Sequence, residues 1–373
     1  VLTFVASSIA YVFNPALATN RWFVFGTIIV TLWFATWINF KGMKLSSFLS
    51  SSGALLGTVI PGILIILMVV GYLVAGKPAQ ISFSWGSLVP DLGNLNQLML
   101  LSGMMVALSG MEMSAVHVTE MANPGRQFPK AIFSACFLVI LLSVFGALAI
   151  ALVIPPNDIS LAAGADQAFA KIFEIFHISW MTPIMCFLLA YGALTMVITW
   201  VLGPSKGVLE VAKEGYLPQY WQKRNAQGMP TRILILQASL SSVLATTVLF
   251  MPTISGAFWV MSALTAQLYM VMYLLMFAAA IRLRYTQPDK VRPYRIPGGK
   301  PGIWIVSGIA FLTALLAIVV GFIPTGGVRS DGDLADVGYV LFLFFGMVVF
   351  VGMPLVFYHI YEQKKKKMET AAK

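Results

Sequence analysis

An all-α polytopic membrane protein is the fold class this sequence predicts, on three observations. Of its 373 residues, 59% are hydrophobic and only 10% are charged, against about a quarter charged in soluble domains. Mean hydropathy is +0.85. Apolar runs of about twenty residues recur along the chain, each long enough to cross the hydrocarbon core of a bilayer. The runs are continuous, whereas a membrane β-barrel would show segments of about ten residues alternating in polarity.

Taken in order, the apolar runs predict a partial first span over Val1–Phe13, then Trp22–Phe40, Leu55–Ala75, Leu98–Met121, Ala131–Ile154 and Thr182–Ala212. Ile233–Met251, Gly256–Arg282, Ile303–Phe322 and Val337–Tyr361 complete the set. That is nine full spans and one fragment, a single transmembrane domain over 1–361 with a short basic tail at 362–373. Between spans, 154–176 carries apolar residues at helical spacing and predicts a short helix lying at the membrane surface. The linker 210–230 is basic and aromatic, punctuated by Gly215 and Pro218.

Charge gives the orientation. All but four of the 24 Lys and Arg residues fall in loops on one side of the predicted spans; the exceptions are Arg21, Lys77, Lys171 and Arg329. The positive-inside rule puts the basic side, with the C-terminus, in the cytoplasm, and so expects an inner-membrane protein. The net charge of +10 then reflects topology and contact with anionic lipid headgroups, with no call for nucleic acid as a partner.

Chemistry concentrates in GMEMSAVHVTEMANPGRQFP (110–129). Ionisable groups inside a membrane are costly and usually face a water-filled cavity or a partner. Glu112 lies well into its predicted span, beside Ser109, Gly110 and Ser114, residues that tolerate a locally opened helix. An opened helix frees carbonyls on one side of the break and N–H groups on the other, which can satisfy a zwitterion's ammonium and carboxylate. A purely structural hydrogen bond from Glu112 to a neighbouring helix remains the other reading. His117 and Glu120, three apart and on one helical face, read as a local ion pair or cap, with His117 also a candidate proton-linked group. Asn123-Pro124-Gly125-Arg126 ends the segment.

No CxxC, HExxH, GxSxG or Walker-type motif is present, and the three histidines, His117, His177 and His359, fall in separate regions. A membrane-embedded enzyme, which would cluster such groups at one depth, is not expected, and neither is a metal or a cofactor. Cys136 and Cys186 sit in apolar stretches and read as small buried hydrophobes.

The 110–129 stretch resembles the sixth helix and following loop of amino acid/polyamine/organocation transporters, and within them the glutamate/GABA antiporter family. WVLGPSKGVLEVAKEGYLP (200–218) is similar to that family's eighth helix and its exit. NAQGMPTRILILQ (225–237) resembles the entry to helix nine, LYMVMYLLMF (268–277) helix ten, and YRIPGGKPG (294–302) the segment before helix eleven. IPPNDISLAAG (154–164) is similar as well.

The resemblance implies a leucine-transporter-like fold of twelve helices, the first ten forming two inverted five-helix repeats. Here the second repeat would fall at about 92–282, with helices eleven and twelve at about 303–361. On this reading about nine and a half helices are present; helices one, two and most of three are missing, and with helix one the carboxylate-binding half of the site. The resemblance further implies that the carbonyls of Ser109, Gly110 and Met111 receive a substrate ammonium, and that Glu112 is proton-linked or holds the break. Trp200 would cover the substrate and Tyr269 and Tyr273 would line its pathway, though packing roles for these three stay open. Acid-resistance members end in a longer His-bearing tail, which EQKKKKMETAAK does not match. Any pH response is then expected of Glu112, His117 or the missing helices.

The function expected is exchange of an external glutamate-like amino acid for an internal GABA-like amino acid or amine by alternating access, with protons as a possible coupled partner. A proton- or sodium-coupled symporter of the same superfamily and a non-transporting truncated remnant are the alternatives.

Overall fold

The computed structural model describes residues 1–81, 97, 103–105, 107–160, 162–251, 253–323 and 333–371, with the side chains at 116–117, 119–120, 157, 333–336, 364–369 and 371 left aside. Among the described residues every regular element is helical. Short 3-10 turns aside, in chain order they are α1 (Leu2–Phe13), α2 (Arg21–Phe40), α3 (Met43–Val74), a longer 3-10 segment (Met111–Glu120) and α4 (Pro124–Val153). Then follow α5 (Gly164–Ile175), α6 (Thr182–Lys213), α7 (Thr231–Phe250), α8 (Ile254–Thr286), α9 (Gly299–Gly321) and α10 (Asp333–Ala371). Eight of these are long and apolar enough to cross a membrane, which makes this a multi-pass membrane protein.

Local chemistry sets the boundaries. The Asn20 side chain accepts from the N–H groups of Trp22 and Phe23 at 3.0 and 3.2 Å and so caps α2. Gly42, at φ 106°, supplies a left-handed turn that L side chains rarely adopt, and α3 starts at the next residue. A π turn, Leu55–Val59, precedes Pro61, which has no N–H to return to the carbonyl four residues back.

Helix α3 begins twelve residues before the expected Leu55. The polar stretch LSSFLSSSG, which reads as a loop, is helical because its serines are satisfied. Ser46 donates to Asn39 Oδ1 at 2.8 Å, Ser52 donates to the Leu49 carbonyl at 3.0 Å, and Ser50 and Ser52 pair with Thr199 and Tyr191 of α6. At the other end of the chain, α10 carries through the expected tail to Ala371. The predicted span Leu98–Met121 lies partly outside the described residues; 103–105 and 107 are helical, the helix stops before Ser109, and the chain resumes as the 3-10 segment.

The described residues fall into two compact units, those within Val1–Ser84 and Leu138–Phe258 and those within Trp85–Phe137 and Trp259–Lys373. In the first, α6 is the central helix. More than half of its apolar span is buried, whereas that of α10 is almost wholly exposed. Leu32, Ala35 and Ile38 of α2 meet Val197, Ile198, Val201 and Leu202 of α6, with Leu234 and Ala238 of α7 beside them. The fully buried Asn39 gives its amide to the Ile198 carbonyl at 3.0 Å. Helices α3 and α6 approach closely at Gly57 and Gly192, where a Cβ on either would lie 2.3–2.7 Å from the other's backbone. Small residues at such crossings replace the hydrophobic drive that lipid does not supply. A second cluster seats Phe169, Ile172 and Phe173 of α5 on Ile65 and Val69 of α3 and Met185 and Leu189 of α6.

In the second unit, Met270 of α8 packs on Ala314 and Ala317 of α9. Gln267 donates to the Ile318 carbonyl at 3.0 Å, and Tyr339 of α10 donates to the Gly321 carbonyl at 3.0 Å. The rest of α10 presents exposed apolar side chains such as Phe344, Phe345, Val348 and Leu355, the composition of a lipid-facing surface.

Candidate substrate site at the Gly110 break

The break is built by Gly110, which takes φ 103°, a conformation open to glycine because it has no Cβ. That geometry turns the Gly110 N–H toward two acceptors, Glu112 Oε2 and the Tyr273 hydroxyl oxygen, both at 3.1 Å. Tyr273 in turn donates to Glu112 Oε2 at 2.5 Å, at the short end of the range for an O–H···O bond. The Ser109 side chain is a further hydrogen-bond partner of the Tyr273 hydroxyl. Helix α8 thus pins the acid to the break through one tyrosine.

The tyrosine is itself held on both sides. Tyr269, one turn earlier, meets it edge-on with ring centroids 6.0 Å apart, and Phe277, one turn later, stacks at 5.7 Å. Both tyrosines, with Met105 and Ile318 of α9, also pack against the buried cluster of Met270, Ala314 and Ala317. Of the residues expected at the site, Ser109, Gly110, Glu112, Tyr269 and Tyr273 are therefore gathered in one place.

The carbonyls of Gly110 and Met111 each accept one hydrogen bond, from the Met113 N–H at 3.2 Å and the Ser114 hydroxyl at 2.6 Å, and each keeps a second lone pair. Glu112 Oε1 is buried and makes no hydrogen bond among the described residues. Such an oxygen costs about 1–3 kcal/mol while unmatched, and an ammonium, with three donors and a positive charge, is the group that would match it best. Among the described residues no cluster of His, Cys, Asp or Glu could hold a metal.

A family model described as amino acid permease matches residues 1–352. The chain belongs to that family. The permease is 37% identical over 358 residues to an uncharacterized transporter of Legionella pneumophila, covering 95% of this chain and 76% of that one. It is 29% identical over 365 residues to a glutamate/gamma-aminobutyrate antiporter of Lactococcus lactis, covering 97% and 72%. A probable agmatine/putrescine antiporter of Lactococcus lactis is 21% identical over 243 residues, covering 65% and 52%.

Trp200 is half-buried on α6, in the first unit, and its carbonyl lies 3.5 Å from the Gln237 amide. The side chains of His117 and Glu120 lie outside the described residues. Sequence reasoning missed Asp166 and Ser8, whose contact is described below. The signal was available, since Asp166, Phe169 and Phe173 recur at helical spacing and place an acid on the apolar face of α5.

Proposed function

We propose that this permease is an amino acid antiporter that exchanges an external glutamate-like amino acid for an internal GABA-like amino acid or amine by alternating access. The observation that carries the reading is the buried, unmatched Glu112 Oε1 at the Gly110 break. It offers one charged acceptor to the amine that both exchanged species share, while Tyr273 holds the other oxygen. The Lactococcus lactis relative named as a glutamate/gamma-aminobutyrate antiporter supports the choice of substrates.

Within this proposal Glu112 binds the ammonium and responds to protons, with His117 as a second proton-linked candidate. Trp200 covers the substrate, and Tyr269 and Tyr273 line its path. The fold is the leucine-transporter-like inverted repeat, set in the inner membrane with the C-terminus in the cytoplasm. The sodium-coupled reading has no observation of its own to favour it.

The experiment is labelled glutamate uptake into liposomes preloaded with unlabelled GABA, at pH 5 and pH 7, with unloaded liposomes alongside. Uptake that needs the internal load is the expected result. Uptake that is indifferent to the load but follows an imposed sodium gradient would replace exchange with symport, and no uptake at all would remove glutamate as the substrate.

A further inference from the structure

Helix α5 carries a buried acid that the proposed transport site does not use. Asp166 is fully buried in its first turn. One carboxyl oxygen, Oδ2, accepts from the Ser8 hydroxyl of α1 at 3.0 Å, across 158 residues of sequence. The other, Oδ1, is buried and makes no hydrogen bond among the described residues. The titratable groups that face the carboxyl are Tyr11 from α1 and the Cys186 thiol from α6. From α3 the apolar Ile65 and Val69 close the cluster, and that helix's Tyr72 spends its hydroxyl on the Pro78 carbonyl at 2.8 Å. On α5 itself, Lys171 and Glu174 pair with each other on the exposed face at 3.0 Å. None of these groups places a positive charge against Asp166.

Beside the acid is a cavity of about 350 Å³ lined by Ser7, Tyr11, Arg21, Ser160, Gln167 and Ser255, among others. Gln167, the residue after Asp166, forms part of that wall and ties down the lead-in to α5. It accepts from the Ser160 N–H at 2.8 Å and donates to the Asp158 carbonyl at 3.2 Å.

We propose that Asp166 is a proton-binding site whose occupancy governs the docking of α5 on α1 and α6, and with it the shape of the adjoining cavity. A carboxylate buried with one oxygen unmatched opposes its own burial, whereas a neutral carboxyl loses most of that penalty and keeps its bond to Ser8. Burial pushes the Asp166 carboxyl up from 3.8 to about 7, with the Ser8 and Cys186 contacts pulling back only part of the way. The sign follows from linkage. The docked state holds the proton more tightly than the undocked one, so docking strengthens as pH falls from about 7 towards 4 and is flat above that range. On the orientation proposed above, which this inference adopts, α5 lies outside and the proton is drawn from the external medium.

The test is amide hydrogen exchange of the full chain in lipid nanodiscs at pH 6 and pH 8, with rates corrected for intrinsic exchange. A group that titrates at about 7 when docked and 3.8 when free makes α5 about tenfold better protected at pH 6 than at pH 8. The amides of α9 should show no such difference. Asp166→Asn keeps the shape without the charge and should abolish the ratio. Ser8→Ala removes the donor that favours the charged form, so the change should move to higher pH. Equal protection of α5 at both pH values, or a ratio that survives in Asp166→Asn, overturns the proposal. Should the Asn chain fail to fold, an unmoved midpoint in Ser8→Ala overturns it instead. No substrate enters the measurement, so a chain that exchanges nothing in liposomes leaves this result standing.

Discussion

At the scale of single residues, Tyr273 is where the proposed site is most exposed to test. It fills two roles at once, donating to Glu112 Oε2 and accepting from the Gly110 N–H. Tyr273→Phe keeps the ring stack with Phe277 and deletes both bonds, leaving the Gly110 N–H and Glu112 Oε2 only each other, a loss of about 1 kcal/mol. The expected outcome is a rise in KM for the exchanged amine of about fivefold or more with the protein still folded; an unchanged KM would make the tyrosine a packing residue. Glu112→Gln should abolish exchange or change its pH dependence, and flux unaltered from pH 4 to pH 8 would leave Glu112 with the structural role alone. Trp200→Ala should weaken apparent substrate affinity, and an unaltered KM would return that ring to packing. Glu112 was legible from sequence because an acid in an apolar run stands out. Its open oxygen was not, because which of two carboxyl oxygens is matched depends on a tyrosine 161 residues away. Asp166 escaped notice for a related reason. The apolar spacing of its segment is readable, but the Ser8 hydroxyl that meets it lies 158 residues away.

At the scale of elements, the crossing of α3 and α6 shows how much of the fold hydropathy can and cannot give. The apolar half of α3 was readable as a span, but its serine-rich first turns were not, since their stability comes from hydroxyl partners on α6 and not from apolar surface. The crossing itself depends on absent side chains. A Cβ at Gly57 would lie 2.3 Å from the Gly192 Cα and 2.5 Å from the Leu188 carbonyl oxygen, backbone atoms that have no rotamer to move. A Cβ at Gly26 of α2 or Gly146 of α4 would meet nothing within 4 Å. Gly57→Ala and Gly192→Ala should therefore each cost about 1–3 kcal/mol or more from overpacking. At Gly26 and Gly146 the same change should be neutral or gain up to about 0.5–1 kcal/mol through helix propensity. Thermal unfolding of the four variants in one detergent checks this directly. Equal midpoints across the set would mean that the two helices can part at no cost and that the crossing does not hold the first unit together.

For the whole molecule, the distribution of charge is what the proposed orientation rests on. Counting the segment at Leu98–Met121 as a crossing, the basic residues gather at alternate helix ends and at the C-terminus, while the ends bearing Arg21, Lys77, Lys171 and Arg329 hold the remaining four of 24. The last helix makes the bias concrete. Its apolar stretch, Val337–Gln363, spans about 40 Å at 1.5 Å per residue, enough to pass the hydrocarbon core and reach the headgroup region. Lys364–Lys367 follow at once in the sequence, and a cation near an anionic leaflet gains about 1 kcal/mol. A C-terminal green fluorescent protein fusion should fluoresce in the cytoplasm and a C-terminal alkaline phosphatase fusion should be inactive. Replacing the four lysines with glutamine should weaken that preference without abolishing it, because the other basic loops retain most of the charge. An active phosphatase would invert the chain. It would place α5 and Asp166 on the cytoplasmic side, so that the proton bound there reports internal rather than external pH while the docking equilibrium itself is unchanged.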